Sequence, residues 1–188
     1  AKVIGVGPGA EPFLGRWDSE LLPGVKGIVM LTTMVYAAQL LAAMQHKPDL
    51  MAVLMGGRVV DVLRYGGLIT AFVEGLGTEP WRLLSACFVH FGIIHFGMNM
   101  LALLQLGRFL EPAVGSVRLI IIYVVTGIAS FGVDVAWTAI FGGGGITGGA
   151  SGAIFGMMGA VLGWLWRRRD PRWKVWLGQA VLYSVIFG

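Results

Sequence analysis

Ser151 stands in the run Gly148-Gly149-Ala150-Ser151-Gly152-Ala153, at the head of 18 residues, 149–166, that carry no ionisable side chain. A serine hydroxyl is a weak nucleophile until a base lies within hydrogen-bond reach. Acyl transfer also needs donors aimed at the oxyanion. A helix starting near Ser151 offers its N-terminal N–H groups, where developing negative charge is favoured. Three more polar residues, His90, His95 and Asn99, share a second apolar stretch. His95 and Asn99 are four apart and fall on one helix face, with His90 nearer the outer end. If the two stretches pack together, His95 and Asn99 supply side-chain donors to a hydrolase site whose general base is unaccounted for. Residue type alone favours a structural reading of all three, most strongly for His90. Such groups hydrogen-bond across membrane helices, worth about 0.6 to 2 kcal/mol. The histidines have no HExxH pattern and no carboxylate or thiolate cluster beside them, so no metal and no cofactor are expected.

The elements that must position these groups are membrane helices. The 188 residues are 56% hydrophobic and 13% charged, with mean hydropathy +0.78, whereas soluble domains carry about 25% charged residues. One compact all-α transmembrane bundle is expected. Residues 1–25 read as a polar N-terminal tail without a cleavable signal, and residues 26–188 as the membrane domain. Apolar runs predict spans over 27–45, 83–107, 119–141 and 149–166, with a fifth begun at Val175. The chain opens on Ala1 and stops at Gly188 inside that fifth run, so it reads as a fragment. Between the first two spans, Arg58, Asp61 and Arg64 recur every three residues beside four apolar ones. That pattern predicts a short helix with its charges on one side, lying in the membrane surface or packed on the bundle.

Charge sets the orientation. Arg167, Arg168, Arg169, Arg172 and Lys174 lie within eight positions, opposed by Asp170. Together with Arg108 and Arg118 against Glu111, they mark the inside face. The net charge of +4 is thus a feature of membrane topology, and no nucleic-acid partner is implied. His90, His95 and Ser151 then lie toward the outer leaflet. Six glycines in residues 142–150 suit a mobile rim around a site. Gly148, Gly152 and Gly156, and likewise Gly159 and Gly163, recur at the four-residue spacing of closely packed helices.

On these residues the chain resembles the rhomboid intramembrane serine proteases, over roughly residues 27–188. Trp81-Arg82 precedes His90 as the family's Trp-Arg pair does. The set His90, His95 and Asn99 looks like its second-span signature. Glu111 followed by Gly115-Ser116 is similar to its cytoplasmic turn, and Gly149-Ala150-Ser151-Gly152 corresponds to its Gly-x-Ser-Gly motif. The resemblance implies a six-helix core, five helices of which are present, around a water-filled cavity open to the outer face. It implies Ser151 as the nucleophile of a Ser-His dyad, with His95, Asn99 and the Ser151 N–H at the oxyanion, and Gly149 shaping that site. His90 becomes a structural hydrogen-bonder, Trp81 and Arg82 part of a loop in the outer leaflet, and Glu111 a brace for the cytoplasmic turn. Phe155 stands where an aromatic residue packs against the dyad histidine. The family's base lies in span six in an Ala-His-x-x-Gly context. No histidine follows His95 here, so the chain by itself is expected to be inactive.

The leading expectation is therefore an intramembrane serine endopeptidase acting on transmembrane protein substrates in the lipid bilayer, near its outer face. A catalytically inactive rhomboid-like protein that binds and escorts membrane proteins is the alternative. A small transporter using Asp134 and His95 is a third reading, without a visible inverted repeat. The short tail and compact core suggest a bacterial plasma membrane.

Overall fold

The computed structural model describes residues 22–45, 51, 59–70 and 79–187. The expected tail therefore lies outside the described residues up to position 21. The elements are α1 (Pro23–Met44), α2 (Val59–Arg64), β1 (Leu68–Ile69), α3 (Arg82–Ser85), α4 (Gly92–Val114), α5 (Ser116–Phe141), β2 (Ile146–Thr147), α6 (Ser151–Arg167) and α7 (Trp173–Phe187). Three of them, α1, α4 and α5, are long and apolar enough to cross a membrane. With α6 and α7 packed beside them they form a polytopic helical bundle. Large apolar side chains such as Met30, Met34, Val125, Val133 and Ile140 face outward, as a lipid-bathed surface requires. The core gathers Leu103, Leu106, Leu110, Tyr123, Met157, Val161 and Leu165 from α4, α5 and α6.

Helix α1 begins at Pro23, whose fixed φ suits a first helical position. No side chain of its own caps it. Instead Glu111, 1% exposed, accepts hydrogen bonds from Gly24 N (2.6 Å) and Val25 N (2.9 Å). A carboxylate from α4 thus satisfies two orphan donors and complements the positive end of the α1 dipole. A Cβ on Gly24 would come within 2.8 Å of Glu111 Oε1, so the contact needs glycine there. Glu111→Ala leaves two buried N–H groups unpaired. It is expected to cost about 2 to 5 kcal/mol of stability, read as a lowered thermal unfolding midpoint in detergent.

Several boundaries differ from the apolar runs. The second span was expected over 83–107. The helix instead runs from Gly92 to Val114, and residues 86–91 form an irregular lead-in after α3. The charged end belongs to the helix because Glu111 is used internally. The α4–α5 connection is Gly115 alone, at φ 85°, a left-handed value that glycine tolerates. Arg108, Glu111 and Arg118 are therefore helical, not loop residues.

In α2 the expected two-sided pattern is only partly met: Arg64 is exposed and Val62 buried as expected, but Asp61 crosses to the buried side. Val59 and Val60 are exposed. Arg58 lies outside the described residues. Arg82 holds this region together. Its Nη1 donates to Leu63 O (2.8 Å) and Gly67 O (2.9 Å), and its Nε pairs with Glu79 (2.8 Å). Neighbouring Trp81 is half exposed, with the Arg82 guanidinium 4.6 Å over its ring.

Helix α6 packs on α5 through small residues. A Cβ on Gly152 would collide with Ser130, and one on Gly156 with Thr126. Thr126 Oγ1 also donates to Ala153 O across the interface at 3.3 Å. Gly159 and Gly163, expected on a packed face, meet nothing within 4 Å among the described residues. Between α6 and α7, Arg172 donates from Nε to Asp170 Oδ1 and from Nη2 to Oδ2, a bidentate pair. That guanidinium holds the Asp170 carboxyl below its ordinary range. The pair's contribution, about 1 kcal/mol or less for so open a site, is present at neutral pH. It is lost as pH falls through the lowered value.

Candidate active site

The half of the glycine loop nearer Ser151 is tied down by distant partners. Ile146–Thr147 pair antiparallel with Leu68–Ile69. Thr70 N donates to Gly145 O at 2.9 Å, and Gly145 N to Thr70 Oγ1 at 3.0 Å. Nearer the serine, Gly149 N donates to Ala86 O (2.8 Å) and Ala150 N to His90 Nε2 (3.4 Å). Local glycine content predicts freedom; these long-range partners hold residues 145–150, while residues 142–144 stay exposed.

The lead-in segment 86–91 receives those bonds. Ala86, Cys87, Val89 and His90 are all buried; the N–H groups of Ala86, Cys87 and Phe88 bond back to α3 carbonyls, and the strip itself lies outside any helix. Buried peptide groups must be paired, and neighbouring elements do it. Tyr123 of α5 donates to Cys87 O (3.0 Å), and Gln39 of α1 bonds the His90 backbone. His90 therefore precedes α4 instead of lying within it. Its Nδ1 faces Phe88 O at 3.3 Å, so the ring proton sits on Nδ1 and the Nε2 lone pair accepts Ala150 N–H.

His95 has the opposite tautomer. Phe91 N donates to His95 Nδ1 at 3.4 Å, which leaves the ring proton on Nε2 as a donor. The Cε1–Nε2 edge of that ring faces Gly149. A Cβ there would lie 2.7 Å from Cε1 and 2.9 Å from Nε2, and Gly149 has φ 132°. Close approach and backbone conformation both call for glycine. Asn99 Nδ2 donates to His95 O at 2.9 Å, a bond within its own helix that leaves the second amide proton available. The cross-helix bonds expected of His95 and Asn99 on residue type are replaced, among the described residues, by local ones.

Ser151 opens α6. The N–H groups of Gly149 and Ala150 are already engaged, so the unused donors at this helix end begin with that of Ser151. Ser151, His95 and Asn99 line one cavity of about 80 Å³, room for a few water molecules. Met98 and Ala102 complete the α4 stripe at helical spacing, and Ile154 and Phe155 the α6 stripe. Tyr183 of α7 closes another wall. Met98, Ala102, Ile154 and Tyr183 join the site although their residue types carry no chemistry that singles them out in the sequence. The first three follow from stepping three or four residues along each helix, whereas Tyr183 carries no such signal. Trp81, Arg82 and Glu111 lie outside the cavity wall. Among the described residues no cluster of three or more His, Cys, Asp or Glu is placed to hold a metal ion.

A family model described as the Rhomboid domain matches residues 77–188. RHOMBOID-like protein 4 of Arabidopsis thaliana is 38% identical over 109 residues, covering 58% of this chain and 26% of the relative. RHOMBOID-like protein 6, mitochondrial, of the same plant is 43% identical over 86 residues, covering 46% and 27%. Rhomboid protease GlpG of Klebsiella pneumoniae is 33% identical over 110 residues, covering 58% and 37%. The chain spans well under half the length of these relatives, which are of plant as well as bacterial origin. The matched segment begins just before Trp81 and contains α4 with His95 and Asn99, the one-glycine turn and α6 with Ser151, so this integral membrane protein belongs to the rhomboid family.

Proposed function

We propose that the protein is an intramembrane serine endopeptidase that cleaves transmembrane protein substrates near the outer membrane face through an acyl-enzyme on Ser151. One observation carries this reading. A serine from α6 and a histidine–asparagine pair from α4 line the same cavity. In this reading Ser151 Oγ attacks the scissile carbonyl. Developing charge on its oxygen is met by His95 Nε2–H, the free Asn99 amide proton and the Ser151 N–H, which need no reorganisation to act. Gly149 keeps that space clear, and Phe155 flanks it one helical turn beyond Ser151. Cavity water then hydrolyses the ester.

Neither His90 nor His95 is placed to be the proton acceptor. His90 Nε2 already accepts Ala150 N–H and His95 Nδ1 accepts Phe91 N–H, while His46 lies outside the described residues. By resemblance the base is a histidine in a helix after α7, which deprotonates Ser151 and later protonates the leaving amine. The test uses the full-length protein in liposomes. A fluorophosphonate, which traps activated serines, is expected to label Ser151, and a transmembrane reporter to be cleaved. A reporter that co-purifies uncut with a protein whose Ser151 stays unlabelled would instead identify the inactive binding and escort role.

A further inference from the structure

We propose that Gln39 of α1 is a positioning residue for the nucleophile, acting through His90. This rests on the reading of Ser151 as nucleophile. Gln39 is 5% exposed, and in an apolar span a buried amide requires partners on both its ends. It finds them on one residue. Nε2 donates to His90 O at 3.3 Å, and Oε1 accepts from His90 N at 3.1 Å. The side chain thus clasps the His90 peptide groups as a neighbouring strand would, at a point where the chain has left α3 and has not yet entered α4.

His90 passes that constraint on. Its main chain is held by Gln39, and its ring is turned by Phe88 O so that Nε2 meets Ala150 N–H at 3.4 Å. Ala150 is the residue before Ser151. The adjacent Gly149 N–H is fixed to Ala86 O at 2.8 Å, four residues before His90. Two successive N–H groups ahead of the serine therefore hang from segment 86–90. That segment also leads directly into the helix bearing His95 and Asn99. Gln39 is not among the residues that line the cavity. It sets the offset between the head of α6 and the α4 donors by fixing the strip of backbone to which both are attached. Tyr36, one turn earlier on α1, supports the same strip through rings, stacked on Phe96 at 4.4 Å and edge-on to His90 at 6.4 Å.

Misplacing a reacting group by about 1 Å can cost roughly 10²-fold in rate. The full-length variant Gln39→Met keeps volume and loses both bonds. It is expected to lower kcat on a transmembrane reporter by about 10-fold or more, with KM within about twofold, and to slow fluorophosphonate labelling of Ser151 in parallel. In combination with His90→Ala it should add little to the loss from His90→Ala alone, because both act along one path. Wild-type kcat and labelling in Gln39→Met, whatever happens to its unfolding midpoint, would overturn the proposal. So would full additivity with His90→Ala. If Gln39→Met does not fold, the unaltered protein decides. Nitrogen-15 spectra should show His90 neutral with its proton on Nδ1, and the Nε2–H form would overturn the path, since it cannot accept Ala150 N–H. Cleavage persisting in Ser151→Ala would refute the nucleophile reading itself. Loss there with no loss in Gln39→Met would refute the positioning role alone.

Discussion

Ser151→Ala in the full-length protein is expected to reduce cleavage of a transmembrane reporter by about 10⁴-fold or more, the scale seen when an activated serine nucleophile is removed. The expectation follows from what surrounds the serine. Among the residues lining the cavity the one other hydroxyl is on Tyr183, and a phenol on another helix is not held at the head of α6. Ser151 occupies the first position of α6 and is partly exposed. Alanine there removes one hydroxyl and leaves the packing against α5 in place, so the unfolding midpoint should stay near the wild-type value. The measurement is initial cleavage rate in proteoliposomes alongside thermal unfolding. Cleavage at an undiminished rate would show that another group attacks the peptide bond.

Asn99→Ala is expected to lower kcat by about 10²-fold, the effect of losing one oxyanion donor, with little change in thermal stability. The two outcomes separate because of where Asn99 bonds. Its amide donates to His95 O on its own helix, so removal breaks a local bond and not a link between helices. A residue serving as glue between helices would show the reverse, a clear fall in unfolding midpoint with activity lost in proportion to the unfolded fraction. Measuring kcat and KM together sharpens the distinction. A donor that acts on the transition state lowers kcat and kcat/KM alike, and a proportionate loss of both stability and activity would remove Asn99 from the oxyanion site.

Much of the architecture was legible in residue order because hydrophobic periodicity and charge bias are local and additive. The apolar runs marked the helices that became α1, α4, α5, α6 and α7, and the four-residue spacing of His95 and Asn99 already put them on one face. The boundaries were less legible. Apolar composition does not distinguish helix from a buried irregular strip, so segment 86–91 was absorbed into a span. Glu111 looked like a loop charge because nothing near it in sequence reveals that its partners are Gly24 and Val25. Six glycines in nine residues suggested a mobile rim, since the β1–β2 pairing that holds the half nearer Ser151 comes from residues more than seventy positions away.

Residue types and their spacing, then, determined by themselves that this chain is a membrane helix bundle with a serine at one helix head and a histidine–asparagine stripe on another. Those features depend on side-chain chemistry and helical repeat, which operate over a few residues. Tertiary structure alone decided that both line one cavity with Tyr183 from α7, which histidine nitrogen carries its proton, and that an amide on α1 holds the backbone strip between them. Each of these depends on where distant peptide groups find their hydrogen-bond partners once water is excluded. That is set by the packing of whole helices and is written in no local pattern.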